Sequence, residues 1–352
     1  MKLKIKIGLL TIFIALLASS CKNEKAEEPV VVVEEEPIVI EEEEPVELEE
    51  EVPEKIGIPS PLSGIYAEEE KVNRRPVAVM FDNHNRARWQ AGLKDAEIVY
   101  EFLVEAPYTR YLGIFLINDP PSIGPIRSAR PYFVTTVLEY DAVYVRVGGS
   151  EAAKQDVKTL KIADIDGLSS SNKVFWRVSH KKMPHNLYSS MEAIRTSQEE
   201  RKYRMVGEFT PFKFHEDEVD MEGSVANKVI INYRKDNTTE YIYDEDKKIY
   251  IRHKDGKLHI DEIDESPIIA KNIIIQVAKT RVIDNEGRLD IQLVGEGEGK
   301  YITNGKAIDV RWEKKSRHEK TIFYDLDGNE IILNPGVTWI QVVEPRTETI
   351  IE

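Results

Sequence analysis

Arg75-Pro-Val-Ala-Val-Met-Phe-Asp-Asn-His84 decides how this chain is read. Val77 to Phe81 is an unbroken apolar run, short and rich in β-formers, which predicts a strand covered on both faces. It closes in Asp82-Asn83-His84, and the ends of such strands are where open α/β sheets build their crevices. Working outward, Ile98–Val104 and Tyr111–Ile117 are two more β-rich runs, and the turn residues Ala106-Pro107-Tyr108 between them predict an antiparallel hairpin. From Pro131 to Leu138 the apolar residues Phe133, Val134, Val137 and Leu138 recur at helical spacing. Ala142–Val147 reads as a strand closed by Gly148-Gly149. Ser150 can cap a helix through Leu160, and Ser189 with Glu192 makes a capping box for a helix to about Lys202. Strands mixed with helices predict an α/β domain with a mixed sheet over residues 59–218.

From residue 219 to 352 helical periodicity almost disappears and a mainly β domain is expected, so the fold class is a mixture of α/β and α+β. Val229–Arg234, Glu240–Tyr243, Ile249–His253, Leu258–Asp261, Ile273–Ile283, Asp290–Val294, Ala307–Trp312, Thr321–Tyr324, Glu330–Leu333 and Val337–Val343 all read as strands. Lys254-Asp255-Gly256-Lys257 and Asp327-Gly328-Asn329 supply hairpin turns. Gly295-Glu-Gly-Glu-Gly-Lys300 looks phosphate-binding, but it lies between predicted strands, lacks a following helix and carries two acids, so it reads as a turn.

The amino-terminal region supplies the address. Lys2, Lys4 and Lys6 precede an apolar run from Ile7 to Ala18, and Ala18-Ser19-Ser20 leads into Cys21, the only cysteine. That is a secretory signal over residues 1–20 with its thiol placed to take up a lipid, an anchor to the membrane rather than a span across it. Residues 21–58 read as a tether: glutamate runs alternate with short aliphatic clusters and with Pro29, Pro37, Pro45 and Pro53. Proline at that spacing breaks helix and interior strand, and like charges extend the chain. The formal net charge of −15 is concentrated there. Residues 22–55 alone carry −12 and the signal returns +3, which leaves the rest near −6 and suggests no nucleic-acid partner. With Cys21 committed to lipid, intrachain disulfides, thiol catalysis and cysteine metal sites are excluded.

The candidate site residues gather on predicted loops. Arg127 and Arg130 follow the tight turn Ile123-Gly124-Pro125; a helix starting near Ser128 would bring both guanidinium groups beside exposed amides, where anions bind. The alternative is that they pair with Glu101, Glu105, Glu139 or Asp141. Asp82 can serve as a base and His84 as a proton carrier, with Asn83 between them; His185-Asn186 lies on a loop just before a helix. Neither histidine has the spacing of a metal motif, so structural hydrogen bonding competes with a catalytic role, and no metal or other cofactor is expected. Glu101 and Glu105 fall on one side of a continuous strand, which admits paired carboxylates or charges that meet Arg110, Arg127 or Arg130. The basic run Trp312-Glu-Lys-Lys-Ser-Arg-His318 can touch an anionic wall polymer or form a solvated strand end.

Several of these segments together resemble the YerB family of bacterial lipoproteins. They are Arg75-Pro-Val-Ala-Val-Met-Phe-Asp-Asn83, Gly92-Leu-Lys-Asp-Ala-Glu-Ile-Val-Tyr-Glu101, Ile123-Gly-Pro-Ile-Arg-Ser-Ala-Arg-Pro-Tyr132, Gly148-Gly-Ser150 and Pro184-His-Asn-Leu-Tyr188. Tyr301-Ile-Thr-Asn-Gly-Lys306, Trp312-Glu-Lys-Lys-Ser316, Phe323-Tyr324-Asp325 and Asn334-Pro-Gly-Val-Thr-Trp339 extend the match to the second half. The resemblance implies two domains of unknown function and an envelope location; it brings no catalytic mechanism. The expectation is a membrane-anchored module that binds an anionic ligand, a wall polymer or an envelope protein. The competing reading is an envelope hydrolase or phosphotransferase.

Overall fold

The computed structural model describes residues 55–352. The signal, Cys21 and the tether as far as residue 54 lie outside the described residues. The described residues form one compact unit.

The apolar run that opens the reading is strand β1 (Val77–Asp82), buried at every position as a central strand must be. It is followed by β2 (Ile98–Leu103) and β3 (Thr109–Phe115), the expected antiparallel hairpin. Helix α1 (Pro131–Glu139) has proline in its first turn, where the missing N–H costs nothing. β4 (Val143–Arg146) leads to α2 (Glu151–Thr159), capped by the Ser150 hydroxyl accepting from the Ala153 amide, and then to β5 (Asp164–Asp166). A small hairpin of β6 (Trp176–Arg177) and β7 (Leu187–Tyr188) precedes α3 (Met191–Glu200). The cap of α3 is Ser190 rather than Ser189: Ser190 Oγ accepts from the Ala193 amide, while the buried Ser189 hydroxyl donates to the Val174 carbonyl.

The second half is built of strands, as its alternating pattern predicts. β8 (Lys228–Arg234), β9 (Asn237–Asp244) and β10 (Ile249–Lys254) form an antiparallel meander. β11 (Asn272–Val277), β12 (Gly295–Thr303), β13 (Lys306–Lys314), β14 (Thr338–Val343) and β15 (Glu348–Ile351) follow. Several expectations need correction, Leu258–Asp261 among them, which is strand only at Leu258 with an isolated bridge at Ile260. Gly295–Lys300 is the start of β12 and not a turn. The long run 273–283 breaks after Val277, with a separate short strand at Thr280–Val282. Glu330–Leu333 makes only isolated bridges, to Tyr324 and Phe214.

The strands sort into two main sheets. The larger has 11 strands, in the order β13, β12, β11, β14, β2, β3, β1, β4, β5, with Ser224–Val225 and Ile322–Tyr324 flanking β13. It is mixed: β14 runs parallel to both β11 and β2, and β4 parallel to β1 and β5, while the remaining neighbours named are antiparallel. The second sheet is antiparallel, with β10, β9, β8 and β15 in order. Alternate residues of β2 point to opposite faces of the large sheet. Phe102 packs edge-on against Phe133 of α1, at 4.9 Å between centroids. Glu101, on the other face, meets Arg252 of β10. Helix, large sheet and antiparallel sheet are thus stacked in three layers at this point.

Candidate functional site

β1 ends with Asp82 in a place where three segments remote in sequence meet. The segment 123–127 lies beside that end: the Asp82 amide donates to the Pro125 carbonyl, and the Arg127 amide donates to the Met80 carbonyl. The β6–β7 hairpin lies beyond it, with the Ile126 amide donating to the Leu187 carbonyl. Glycine at 124 allows this approach, because a side chain there would stand 2.8 Å from the Tyr188 ring.

The cluster that results is built around one carboxyl group. Asp82 Oδ1 accepts from the His84 amide at 3.0 Å, and Oδ2 accepts from His185 Nδ1 at 2.7 Å. Arg127 Nε stands 3.3 Å from the same Oδ2. A carboxylate can only accept, so His185 carries its proton on Nδ1 and turns Nε2, which has no partner among the described residues, away from Asp82. His84 stacks on His185 with centroids 4.4 Å apart and leans on Tyr108 at 4.5 Å. Its Nδ1 accepts from the Arg86 amide. Burial pushes the His84 pKa down, the like charge of His185 adds to this, and Asp82 opposes it. Asp82 and His185 are recessed, 3% and 8% exposed, whereas Arg86 is open to solvent.

Arg130 stands apart from this centre. Helix α1 begins at Pro131, where the apolar spacing puts it and not near Ser128 as the anion-site reading required, and Arg130 is its cap position. Arg130 Nε donates to Glu105 at 2.6 Å, and Arg110 reaches the same carboxylate at 3.7 Å. Arg110 also donates to the Ser128 carbonyl at 2.8 Å. Burial, and next the neighbouring Arg130, push its guanidinium down to about 10. Glu105 is therefore shared between two arginines. Arg127 and Arg130 each have an acidic partner, but Asp82 and Glu105 between them face three arginines.

Glu101, Asn83 and Asn186 are occupied elsewhere. Glu101 is wholly buried, with Arg252 2.5 Å from Oε2, Lys254 3.2 Å from Oε1, and Thr109 and Thr239 donating to it. It shares no cleft with Glu105, so the paired-carboxylate reading has no geometric support. Burial alone would raise its pKa; Lys254 and Arg252 hold it at about 2. The same burial draws Lys254 down to about 8 against the pull of Glu101, while Arg252 is held charged. Asn83 points into this network, donating to Thr109 at 2.7 Å. Asn186 staples the hairpin, donating to the Val178 and Lys181 carbonyls and accepting from Arg177.

Trp312 and Lys314 are buried as well: the indole donates to the Val277 carbonyl and Lys314 pairs with Glu139 at 2.9 Å. Arg317 is bound to Asp156, which leaves Lys315 and His318 as the exposed members of the 312–318 run, just past the strand end at Lys314. Beside the end of α1 a hollow of about 530 Å³ is lined by Arg75, Asp141, Arg204 and His318 among others, but Asp141 already bridges both arginines. Among the described residues no three His, Cys, Asp or Glu side chains are arranged to hold a metal ion. The stacked histidine rings explain this at the cluster, because their in-plane lone pairs do not converge.

Tyr108 and Arg86 join the site without having been expected there, whereas Arg110 meets Glu105 as one of the expected alternatives had it. Tyr108 and Arg110 belong to the β2–β3 turn and its exit; only the pairing register carries them toward His84.

Residues 62–204 match the family described as "Protein of unknown function (DUF3048) N-terminal domain", and residues 229–340 match its C-terminal domain. The chain is 35% identical over 287 residues to "Putative lipoprotein YerB" of Bacillus subtilis (strain 168), covering 81% of this chain and 86% of that protein. The crystal structure of YerB from Bacillus subtilis superposes with a TM-score of 0.76 at 34% identity, over 83% of this chain and 99% of that one.

Proposed function

The chain belongs to the YerB family, with its paired DUF3048 domains, and from that premise we propose that it is a lipid-anchored extracytoplasmic protein that binds an anionic envelope ligand. The anchor is Cys21. Its support is the charged and apolar pattern of residues 1–20, together with a relative named as a lipoprotein. Among the described residues no helix is long and apolar enough to cross a membrane.

One observation carries the ligand reading: Arg127, His84 and His185 gather on the recessed Asp82 at the end of a central strand, with Arg86 near enough to act on His84. The two arginines outnumber the single carboxyl group there, and arginine forks and imidazole N–H groups match phosphate or carboxylate oxygens. Titration calorimetry with a phosphomonoester tests it. Arg127→Ala should weaken binding by about ten-fold, the cost of one charge-assisted hydrogen bond; unchanged affinity sinks the reading. For the anchor, palmitate labelling should follow the wild-type chain into the membrane fraction and vanish in Cys21→Ser.

A second reading is favoured by the His185–Asp82 hydrogen bond, which has the orientation of a general base with its acceptor nitrogen outward. In that case the protein hydrolyses a phosphorylated or glycan substrate. His185→Asn should then abolish turnover while binding stays within about three-fold, the separation expected when a proton-transfer group and a binding group differ.

A further inference from the structure

We propose that the occupant of this site is a linear chain of phosphodiester repeats, laid from the Asp82–His185 centre along the β6–β7 hairpin, and not a single small anion. The proposal rests on the anion-site reading above.

Residues 167–191 contain no aspartate or glutamate, in a chain that has 63 of them. The absence is therefore local, and it coincides with the segment that delivers His185. Not every cation in it faces outward: His180 and Lys181 are both held by Glu262, at 2.5 and 2.7 Å. Lys173, Arg177 and Lys182 are exposed and have no ion-pair partner among the described residues. Arg177 is tied to the centre through Asn186, which accepts from its Nη1 at 2.7 Å; Lys182 is tied through its carbonyl, which accepts from the His185 amide. Arg86 and Arg127 add positive charge at His84, where both depress its pKa. Cations without an acidic partner thus lie along the one acid-free segment that delivers His185.

A lone phosphate would use only the centre, which leaves the outer cations unexplained. A repeating phosphodiester places successive charges along the hairpin, and each cation released from its counterions adds affinity. Trp176, 37% exposed beside Arg177, offers an apolar face to the carbon skeleton between phosphates. A bilayer surface has the same charge, but its packed headgroups meet the exposed lysines first and do not enter a recess at which Asp82 is 3% exposed.

The test uses the full chain in detergent, with glycerol 1-phosphate and poly(glycerol phosphate) of graded length as probes. Affinity should rise by at least about ten-fold from monomer to long chain, as multivalent contact requires. Lys173→Gln/Lys182→Gln should lose most of that gain and flatten the salt dependence, while monomer binding and the thermal melt stay as in wild type. Affinity independent of chain length, or a double variant with unchanged polymer binding, overturns the proposal. Equal binding to phosphatidylglycerol vesicles, in competition with the polymer, overturns it in favour of a membrane. If Arg127→Ala leaves monomer binding unchanged while length dependence persists, the anion-site reading fails and the hairpin assignment stands.

Discussion

Acidification should tighten anion binding, because His84 is the group at the centre whose charge is suppressed. Burial and the adjacent His185 lower its pKa, so it is neutral at pH 7 and gains a proton only below the ordinary histidine range near 6.5. A bound anion favours that proton, so affinity for a phosphodiester, whose own charge is constant in this range, should climb as pH falls below about 6.5. Calorimetry across that range checks it; His84→Asn should flatten the climb, and a flat wild-type profile refutes it. Glu101 works in the opposite sense. Its pKa is depressed below the unfolded value, so its stabilisation is complete above the ordinary carboxylate range and disappears as pH falls toward about 2. Glu101→Gln should cost about 3–5 kcal/mol in urea unfolding, since it strands Arg252 and Lys254 in the interior; a loss under about 1 kcal/mol contradicts the role assigned to it. The two carboxyl groups also show what the sequence discloses. Asp82 was legible because it closes a conspicuous apolar strand. The fate of Glu101 was not, because Arg252 lies on a strand 151 residues away and leaves no local signal.

At the scale of single elements, β12 is the informative failure. Its glycines and acids imitate a turn, yet they are cross-strand fittings. A Cβ at Gly299 would stand 2.4 Å from the Ile275 carbonyl oxygen, and one at Gly297 would stand 2.6 Å from the Trp312 indole nitrogen. The partners that demand small residues are visible only once the register of β11, β12 and β13 is known. Gly299→Ala should therefore lower stability by about 2 kcal/mol through displaced backbone, a typical overpacking cost. Lys300→Ala, next door and half-exposed, should stay within about 0.5 kcal/mol. Matching melting temperatures for the two variants would refute the steric account. β1, α1 and α2 were readable because burial period and capping are properties of contiguous residues. The one-residue error at the start of α3 has the same root: Ser189 and Ser190 are both serines, and only the tertiary partner Val174 separates their roles.

Over the whole molecule, the two family domains are joined through a shared sheet. β14, from the second half, sits between β11 and β2 and is buried throughout. Trp339 of β14 is wholly buried, and Gln341 of the same strand donates to Tyr241 at 2.9 Å, binding the antiparallel sheet as well. We expect a fragment ending at residue 218 to be unfolded or aggregated by circular dichroism and light scattering, and to recover when residues 219–352 are supplied. A soluble, cooperatively melting fragment would show that the first half is self-sufficient. Sequence pattern separated a mixed α/β half from a β half, but it did not reveal the join, because parallel pairing between distant strands imposes no spacing on either. The join also sets an order of events. β2 leaves the ribosome long before β14, and until β14 arrives β2 presents a bare row of amides and carbonyls. A nascent chain in that condition is a target for stray pairing, so whatever escorts it must keep that row covered until synthesis has passed Val343.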